Sequence, residues 1–397
     1  MDRDQKRPLR VAVLGSTGSI GVSALQVIAR HSDQFRVTVL SANASVDSLR
    51  AQAREHDPAC VVVTDEAAYA TCQGNGPEWV GGRDALLEAV QRPDVDIVLN
   101  ALVGFAGLEP SLRALEAGKR LALANKESLV TGGGLVLDAM KRGGGELIPV
   151  DSEHSALLQC MTGRPGEGVA RLILTASGGP FRGWDPARLA GIGPSDALRH
   201  PTWEMGARIT VASATLANKA LEVIEAHFLF QMAYRDIDVV VHPQSIIHSL
   251  VEFVDGSVVA QLGFPTMELP ILYALSHPER LSDSELRTFD PLRSSPLTFE
   301  PVDTEAFPIF GMGRMAGAKG GTAPTVFNAA NEIAVGAFLE GRLTFPGMAE
   351  VVGETLESVG TFPVRELGDV LEADGLARRV ALKWAERAAP ALPGSNA

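Results

Sequence analysis

Two carboxylates two residues apart, Asp151 and Glu153, stand where an apolar run, Glu146 to Val150, gives way to an amphipathic stretch, Ser155 to Met161. Side chains at i and i+2 of an extended segment point the same way, so this pair can converge on one point. Converged carboxylates repel each other unless a proton or a cation is shared between them. An all-oxygen pair with no cysteine nearby suits a hard divalent cation such as Mg2+ or Mn2+. The competing reading is helix capping, with Asp or Ser at the N-cap and Glu in the first turn. The other polar clusters in the chain weigh between the two.

One such cluster lies on the stretch Arg208 to Glu222. Ser213 can start a helix that carries Asn218, Lys219 and Glu222. Ser, Asn and Lys supply the mixed donors that a phosphate monoester needs, with Lys acting as a point charge. Glu222, at i+4 and i+3 from Asn218 and Lys219, shares their face and is a candidate third carboxylate. Leu221, Ile224 and Phe228 form the core stripe, which leaves Glu222 and Glu225 off it. Taken alone, Lys219 and Glu222 also read as a solvated helix ion pair.

Three further stretches carry polar groups at the ends of apolar runs. Leu172 to Ala176 runs into Ser177-Gly178-Gly179, a turn that offers a hydroxyl and free amides to an oxyanion. Residues 182 to 206, with repeated Gly and Pro and the two tryptophans Trp184 and Trp203, form a long loop of the lid type. His248 precedes an alternating strand, Leu250 to Val254, so it is either a core histidine or a site group.

The elements that must position these residues begin at the N-terminus. Leu9 to Leu14 is a buried-strand run, followed by Gly15-Ser16-Thr17-Gly18-Ser19-Ile20-Gly21 and then by helical spacing from Ser19 to about His31. Strand, glycine turn and helix is the context in which backbone amides face a phosphate. The spacing is G-x-x-G-x-x-G, so the turn alone is a weak signal. Apolar runs at 36–40, 60–63 and 95–99, separated by helical segments at 46–54 and 84–91, predict a mostly parallel, doubly wound α/β sheet. The second strand ends in Asn43-Ala44-Ser45, with neither an acid for a ribose hydroxyl nor a cation for a 2′-phosphate. A later strand, Arg120 to Ala124, runs into Asn125-Lys126-Glu127-Ser128, and the carboxyl ends of such strands face the ligand crevice.

Length, composition and charge bound the rest. A chain of 397 residues has room for two or three domains. A hydrophobic content of 46% with no long uncharged apolar run points to a globular protein without a membrane span. A net charge of −13 argues against broad nucleic-acid binding. It leaves room for an anionic small substrate met by local donors. Cys60, Cys72 and Cys160 are widely spaced, which suggests neither a disulfide framework nor a thiolate metal site. The N-terminus has no apolar signal region, so a cytoplasmic location is expected.

Taken together, the segments LGSTGSIG (14–21), LANKESLVTGG (123–133), PVDSEHSA (149–156), ASGGPFR (176–182), HPTWEMG (200–206), SATLANKALEVIEAHFLF (213–230), VHPQSIIHSLVEF (241–253) and GGTAPTVFNAANEIAV (320–335) resemble the 1-deoxy-D-xylulose 5-phosphate reductoisomerase family. They occur in the family's order and span most of the chain. The resemblance implies NADPH- and metal-dependent conversion of 1-deoxy-D-xylulose 5-phosphate to 2-C-methyl-D-erythritol 4-phosphate in non-mevalonate isoprenoid synthesis. A diverged reductase or reductoisomerase on another sugar phosphate is the alternative. It implies Asp151, Glu153 and Glu222 as ligands to Mn2+ or Mg2+, with Co2+ a third candidate, and Glu225 close by. It implies Ser177, Ser213, Asn218 and Lys219 at the phosphate end, and Lys126, Ser152, Glu153 and His200 at the sugar hydroxyls and carbonyl. Gly15, Thr17, Gly18, Ser19, Ile20, Asn125, Glu127 and Gly206 are the implied NADPH contacts. Trp203 then stacks over the substrate backbone from a flexible flap at 182–208. Lys126, Glu153 and the histidines His154, His200 and His248 are the catalytic candidates, as proton carriers or orienting groups. A homodimer is implied as well.

The expected organisation is a Rossmann-like NADPH domain (1–150), a catalytic α/β domain (151–281), a proline-rich linker (282–312) and a C-terminal helical bundle (313–397). Four features depart from the family's pattern. Ala212 replaces an acid before Ser-Ala-Thr, Ala217 replaces Met, Ala220 replaces Gly, and Asn43-Ala44-Ser45 replaces a segment carrying a cation.

Overall fold

The computed structural model describes residues 7–72, 76–163, 166–199, 203, 206–287 and 289–388. The chain divides into two compact units. The first comprises Met1–Ser128, Leu135–Leu158 and Thr266–Thr288; the second comprises Leu129–Gly134, Gln159–Pro265 and Phe289–Ala397.

The first unit is built on seven parallel strands: β1 (Leu9–Leu14), β2 (Phe35–Ala42), β3 (Cys60–Val63), β4 (Glu78–Gly81), β5 (Ile97–Asn100), β6 (Arg120–Leu123) and β7 (Glu146–Pro149). Their order is β4-β3-β2-β1-β5-β6-β7. β1 therefore pairs with β2 on one side and β5 on the other, and the strand order reverses between β1 and β5. That is the switch point at which open α/β sheets bind ligands. Strands covered on both faces read as unbroken apolar runs, and Val11 to Leu14 and Val61 to Val63 are all fully buried. Helix Ser19–Arg30 turns Ala24, Leu25, Val27 and Ile28 onto the sheet core, where Ile271 and Leu275 of helix Glu268–Ser276 also pack.

In the second unit, β8 (Val169–Ala176), β9 (Ile237–Val241), β10 (Ile247–Phe253) and β11 (Val258–Leu262) form a mixed sheet in the order β11-β10-β8-β9. β9 is covered along its edge by the proline-rich segment, where Val241 and Glu300 exchange two backbone hydrogen bonds of 2.9 Å. Helices Pro308–Lys319, Ala323–Leu339, Phe345–Ser358 and Leu367–Arg387 follow. The first of these begins inside the stretch expected as linker. Pro308 at its N-terminal turn is tolerated because that turn has no intrahelical N–H partner to lose.

Two helical stretches are broken locally, the first of them where one continuous helix is expected. Ser213 does not start the helix that carries Asn218. It lies near the end of a separate helix, Ala207–Ala214, and Leu216, left-handed at φ +57°, turns the chain before helix Ala217–Phe230 begins. Within Lys126–Gly143, Gly132 departs from helical geometry and kinks the helix. Gly133 beside it has no room for a side chain, since a Cβ there would lie 2.4 Å from the Phe228 ring.

Candidate active site

In the first unit the site residues stand at the carboxyl ends of the parallel strands. β1 ends at Gly15, whose φ is +74° and whose missing Cβ would lie 2.7 Å from the Ala101 carbonyl. Only glycine combines that conformation with so close an approach. Gly21 plays the second packing role, because a Cβ there would sit 2.4 Å from the Gly15 carbonyl. These two contacts seat the N-terminus of helix Ser19–Arg30 against the turn, leaving Gly18 and Ser19 exposed and Thr17 and Ile20 half-exposed around it. A turn of this form presents backbone amides to an anion.

Asn125 caps helix Lys126–Gly143 by accepting from the Ser128 N–H at 2.9 Å. Its amide nitrogen donates to the carbonyls of Leu102 and Gly104 and to Glu127 Oε2, each at 2.9 Å. Glu127 Oε1 accepts from the Gly104 N–H at 3.1 Å. Asn125 and Glu127 therefore organise the loop after β5 from inside. Asn100 helps from the end of β5, donating to Gly107 O and Ser111 Oγ.

β7 delivers Asp151. Lys126, buried, forms an ion pair with it, and His154 Nδ1 meets its other oxygen at 2.9 Å. Burial penalises the Asp151 carboxylate, but the Lys126 ammonium and the His154 hydrogen bond outweigh that penalty and hold its pKa well below the usual range. Ser152 Oγ donates to Glu153 Oε2 at 2.6 Å. Lys126, Asp151, Ser152, Glu153 and His154 thus form one local constellation.

The second unit gathers a polar set of its own. Gly178 and Gly179 both have positive φ, and the Gly179 N–H donates to Ser177 Oγ at 3.3 Å. A Cβ on Gly179 would lie 3.0 Å from the Ser213 carbonyl, so the Ser177 turn lies against the end of helix Ala207–Ala214. Asn218 Nδ2 donates to Glu222 Oε1 at 2.6 Å, and Lys219 pairs with Glu222 Oε2. Glu222 and Glu225 are 1% and 2% exposed. They are off the apolar stripe yet not solvated, because helix Ala217–Phe230 is buried on nearly all sides. Such burial is too costly for an idle carboxylate, which removes the surface-ion-pair reading. Asn218 Oδ1 is buried and accepts from no described group.

His248 is buried at the start of β10 with the Trp203 ring 6.4 Å away. The Thr175 hydroxyl, unremarked in the sequence, lies 2.7 Å and 2.8 Å from the Ile247 and His248 carbonyls. Gly206, exposed, is the N-cap of helix Ala207–Ala214. His200 lies outside the described residues. Among the departures from the family pattern, Ala212 and Ala217 are buried. Ala220 packs where a Cβ on Gly313 would approach it to 2.6 Å, so glycine at 313 makes room for the larger residue at 220. Asn43 accepts from the Thr64 hydroxyl at 2.9 Å in the exposed loop after β2.

The family model described as 1-deoxy-D-xylulose 5-phosphate reductoisomerase matches residues 11–133. Its C-terminal domain models match 147–230 and 262–380. The enzyme of that name from Rhodococcus jostii is 50% identical over 378 residues, covering 94% of both chains. The one from Chloroherpeton thalassium is 46% identical over 374 residues, covering 93% of this chain and 96% of its own. This chain belongs to the 1-deoxy-D-xylulose 5-phosphate reductoisomerase family. Solved structures of the family agree in fold. The Zymomonas mobilis enzyme in complex with NADPH superposes with a TM-score of 0.89 at 41% identity, over 96% of this chain and 99% of that one. A family enzyme in complex with NADPH, fosmidomycin and magnesium gives 0.90 at 37% identity, over 95% and 98%. Each unit by itself offers carboxylate oxygens of the kind a hard cation takes, Asp151 held ionised in the first and Glu222 buried in the second.

Proposed function

We propose that this chain isomerises and reduces 1-deoxy-D-xylulose 5-phosphate to 2-C-methyl-D-erythritol 4-phosphate, using NADPH and a divalent cation, Mg2+ or Mn2+. The observation that carries the reading is the joint presence of two chemistries in one family member. A glycine turn at the switch point suits a dinucleotide, and buried acids beside phosphate-type donors suit a metal-bound sugar phosphate. A nucleotide-binding module would have no use for the acids. A metal-dependent aldolase or phosphatase would have no use for the turn. Identities of 46–50% over more than nine-tenths of the chain favour the family reaction over one on another sugar phosphate.

In this reading Asp151, Glu153 and Glu222 share the cation, with Glu225 beside them. When bound, the cation acts as a Lewis acid on the substrate carbonyl and adjacent hydroxyl during retro-aldol cleavage and re-addition, and the nicotinamide supplies hydride to the resulting aldehyde. Ser177, Ser213, Asn218 and Lys219 hold the phosphate, so the fragments recombine in place. Lys126 and His154 fix the Asp151 carboxylate. Ser152 and His200 meet the sugar hydroxyls, while Trp203, from the flap at 182–208, covers the substrate backbone near His248 and excludes water. Gly15, Thr17, Gly18, Ser19 and Ile20 form the pyrophosphate turn, with the amides of Thr17, Ser19 and Ile20 free to face it, and Asn125, Glu127 and Gly206 support the nicotinamide side. Among the described residues no helix is long and apolar enough to cross a membrane, and we place the protein in the cytoplasm as a homodimer, which sedimentation at varied concentration tests.

The direct test mixes the protein with 1-deoxy-D-xylulose 5-phosphate, NADPH and Mn2+ or Mg2+ and follows loss of the nicotinamide absorbance. Folded protein without turnover would overturn the reading. Repeating the assay with NADH measures what Asn43-Ala44-Ser45 does to cofactor choice.

A further inference from the structure

The glycine turn is held by a residue from another helix. Gln52 lies on helix Val46–His56, and its carboxamide meets Ser16 at both ends. Ser16 Oγ donates to Gln52 Oε1 at 2.8 Å, and Gln52 Nε2 donates to the Ser16 carbonyl at 2.8 Å. Ser16 is fully buried, and its N–H donates to the Ser41 carbonyl at 2.8 Å. The Gly15 N–H donates to Ser41 Oγ at 3.2 Å. The side chain of Ser16 therefore faces inward, away from any ligand.

Peptide geometry gives this clamp a consequence. In a planar trans peptide, the carbonyl of one residue and the N–H of the next point in opposite directions. Holding the Ser16 carbonyl toward Gln52 turns the Thr17 N–H away from Gln52, out of the interior. The same helix starts directly after Asn43-Ala44-Ser45, the loop at the carboxyl end of β2. Gln52 thus ties the phosphate-side turn to the ribose-side loop.

We propose that Gln52 is a positioning residue for the cofactor: by gripping both polar ends of Ser16 it aims the Thr17 amide at the dinucleotide phosphates. The proposal rests on the glycine turn being the NADPH site. In this role Gln52 acts through the Ser16–Thr17 peptide, to which both of its bonds with Ser16 lead. Ser16 and Gln52 then behave as one unit toward NADPH and are silent toward the sugar phosphate and the metal.

The test uses the full chain and the variants Gln52→Met, Gln52→Glu and Ser16→Ala. NADPH affinity is read from nicotinamide fluorescence and KM from steady-state assays. Gln52→Met keeps the size and removes both polar ends, so the Kd and KM for NADPH rise about tenfold. Gln52→Glu loses the donor and sets a negative charge against the Ser16 carbonyl, so its effect is at least as large. Ser16→Ala keeps the bond from Gln52 to the carbonyl and raises Kd about threefold, and adding it to Gln52→Met weakens binding no further. In all of them kcat at saturating NADPH and the KM values for the sugar phosphate and Mn2+ stay within about twofold. Should Gln52→Met not fold, Gln52→Glu and Ser16→Ala carry the comparison. NADPH binding within twofold of wild type in these variants overturns the clamp, as does a parallel rise in all three KM values with a lower Tm. A wild-type chain that binds no nicotinamide dinucleotide overturns both the clamp and the site it serves.

Discussion

The seven-stranded sheet carries an aspartate and a lysine at each of its two ends, and the two pairs are treated differently. At the amino ends, Asp96 precedes β5 and Lys119 precedes β6; at the carboxyl ends, Lys126 follows β6 and Asp151 follows β7. Asp96 accepts from the Arg10 backbone N–H at 2.9 Å, from both Nε and Nη2 of the Arg10 guanidinium, and from Arg7. Lys119 Nζ donates to the carbonyls of Arg92 and Val95, each at 2.8 Å. These partners are backbone groups and a rigid guanidinium fork, which lock a connection and leave nothing to exchange. Asp151 is instead paired with a lysine and a histidine. An ammonium on a flexible stem is a partner that a substrate or a cation can displace or share. Residue type is therefore no guide to role at these positions; the rigidity of the partner is.

The comparison is tested most severely by Asp151→Asn. A neutral amide cannot hold a divalent cation as a carboxylate does, so turnover is expected to fall about a thousandfold or more. Mn2+ is expected to raise the Tm of wild type by binding the folded state alone, and that rise is expected to vanish in the variant. Activity within tenfold of wild type, with the Mn2+ effect intact, would remove Asp151 from the proposed metal site. The two lysines give the next largest contrast. Lys126→Met is expected to lower kcat about a hundredfold. Lys119→Met takes the donor from the Val95 carbonyl and one of two from the Arg92 carbonyl, which keeps the Val95 N–H at 3.2 Å; this costs about 1 kcal/mol of stability, while the folded fraction keeps wild-type kcat. If both variants lost activity equally, or both lost only stability, the distinction between the ends of the sheet would be wrong.

How much of this was legible in the sequence follows from what each element is made of. β1, β3, β5 and β6 are short apolar runs buried on both faces, and such runs announce themselves. β4, Glu78–Gly81, is an edge strand that is only partly buried, so its residues carry no unbroken apolar signature. The turn at Leu216 was hidden because leucine is a strong helix former and left-handed leucine has no local cue. Asp151 and Glu153 were visible as a pair, and Glu222 by its spacing from Asn218. The depth at which Glu222 and Glu225 lie was not, since a periodicity argument assigns acids off the apolar stripe to solvent. Gln52 and Thr175 left no trace, because each acts through backbone carbonyls supplied by distant strands and turns.

The smallest effect separates the two aspartates by pH. The side-chain hydrogen bonds and the charge of Arg10 hold Asp96 low, at about 2 against an ordinary 3.8, despite partial burial that opposes this. A carboxyl whose folded pKa is depressed contributes stability that is complete above its unfolded pKa and is lost as pH falls through its folded pKa. For Asp96 that loss runs from about pH 4 down to about pH 2. The Asp96 side chain is 20% exposed. Allowing for solvent screening of its guanidinium partners, the contribution at neutral pH is about 1 kcal/mol. Asp96→Asn is expected to lower stability by that amount at pH 7, to converge on wild type as pH falls to about 2, and to leave kcat and every KM unchanged. Urea denaturation across that range measures the first two, and the absorbance assay the third. A fall in kcat for Asp96→Asn would mean that the amino end of the sheet reaches the chemistry after all; a constant gap at all pH values would mean that its stability comes from packing rather than from charge.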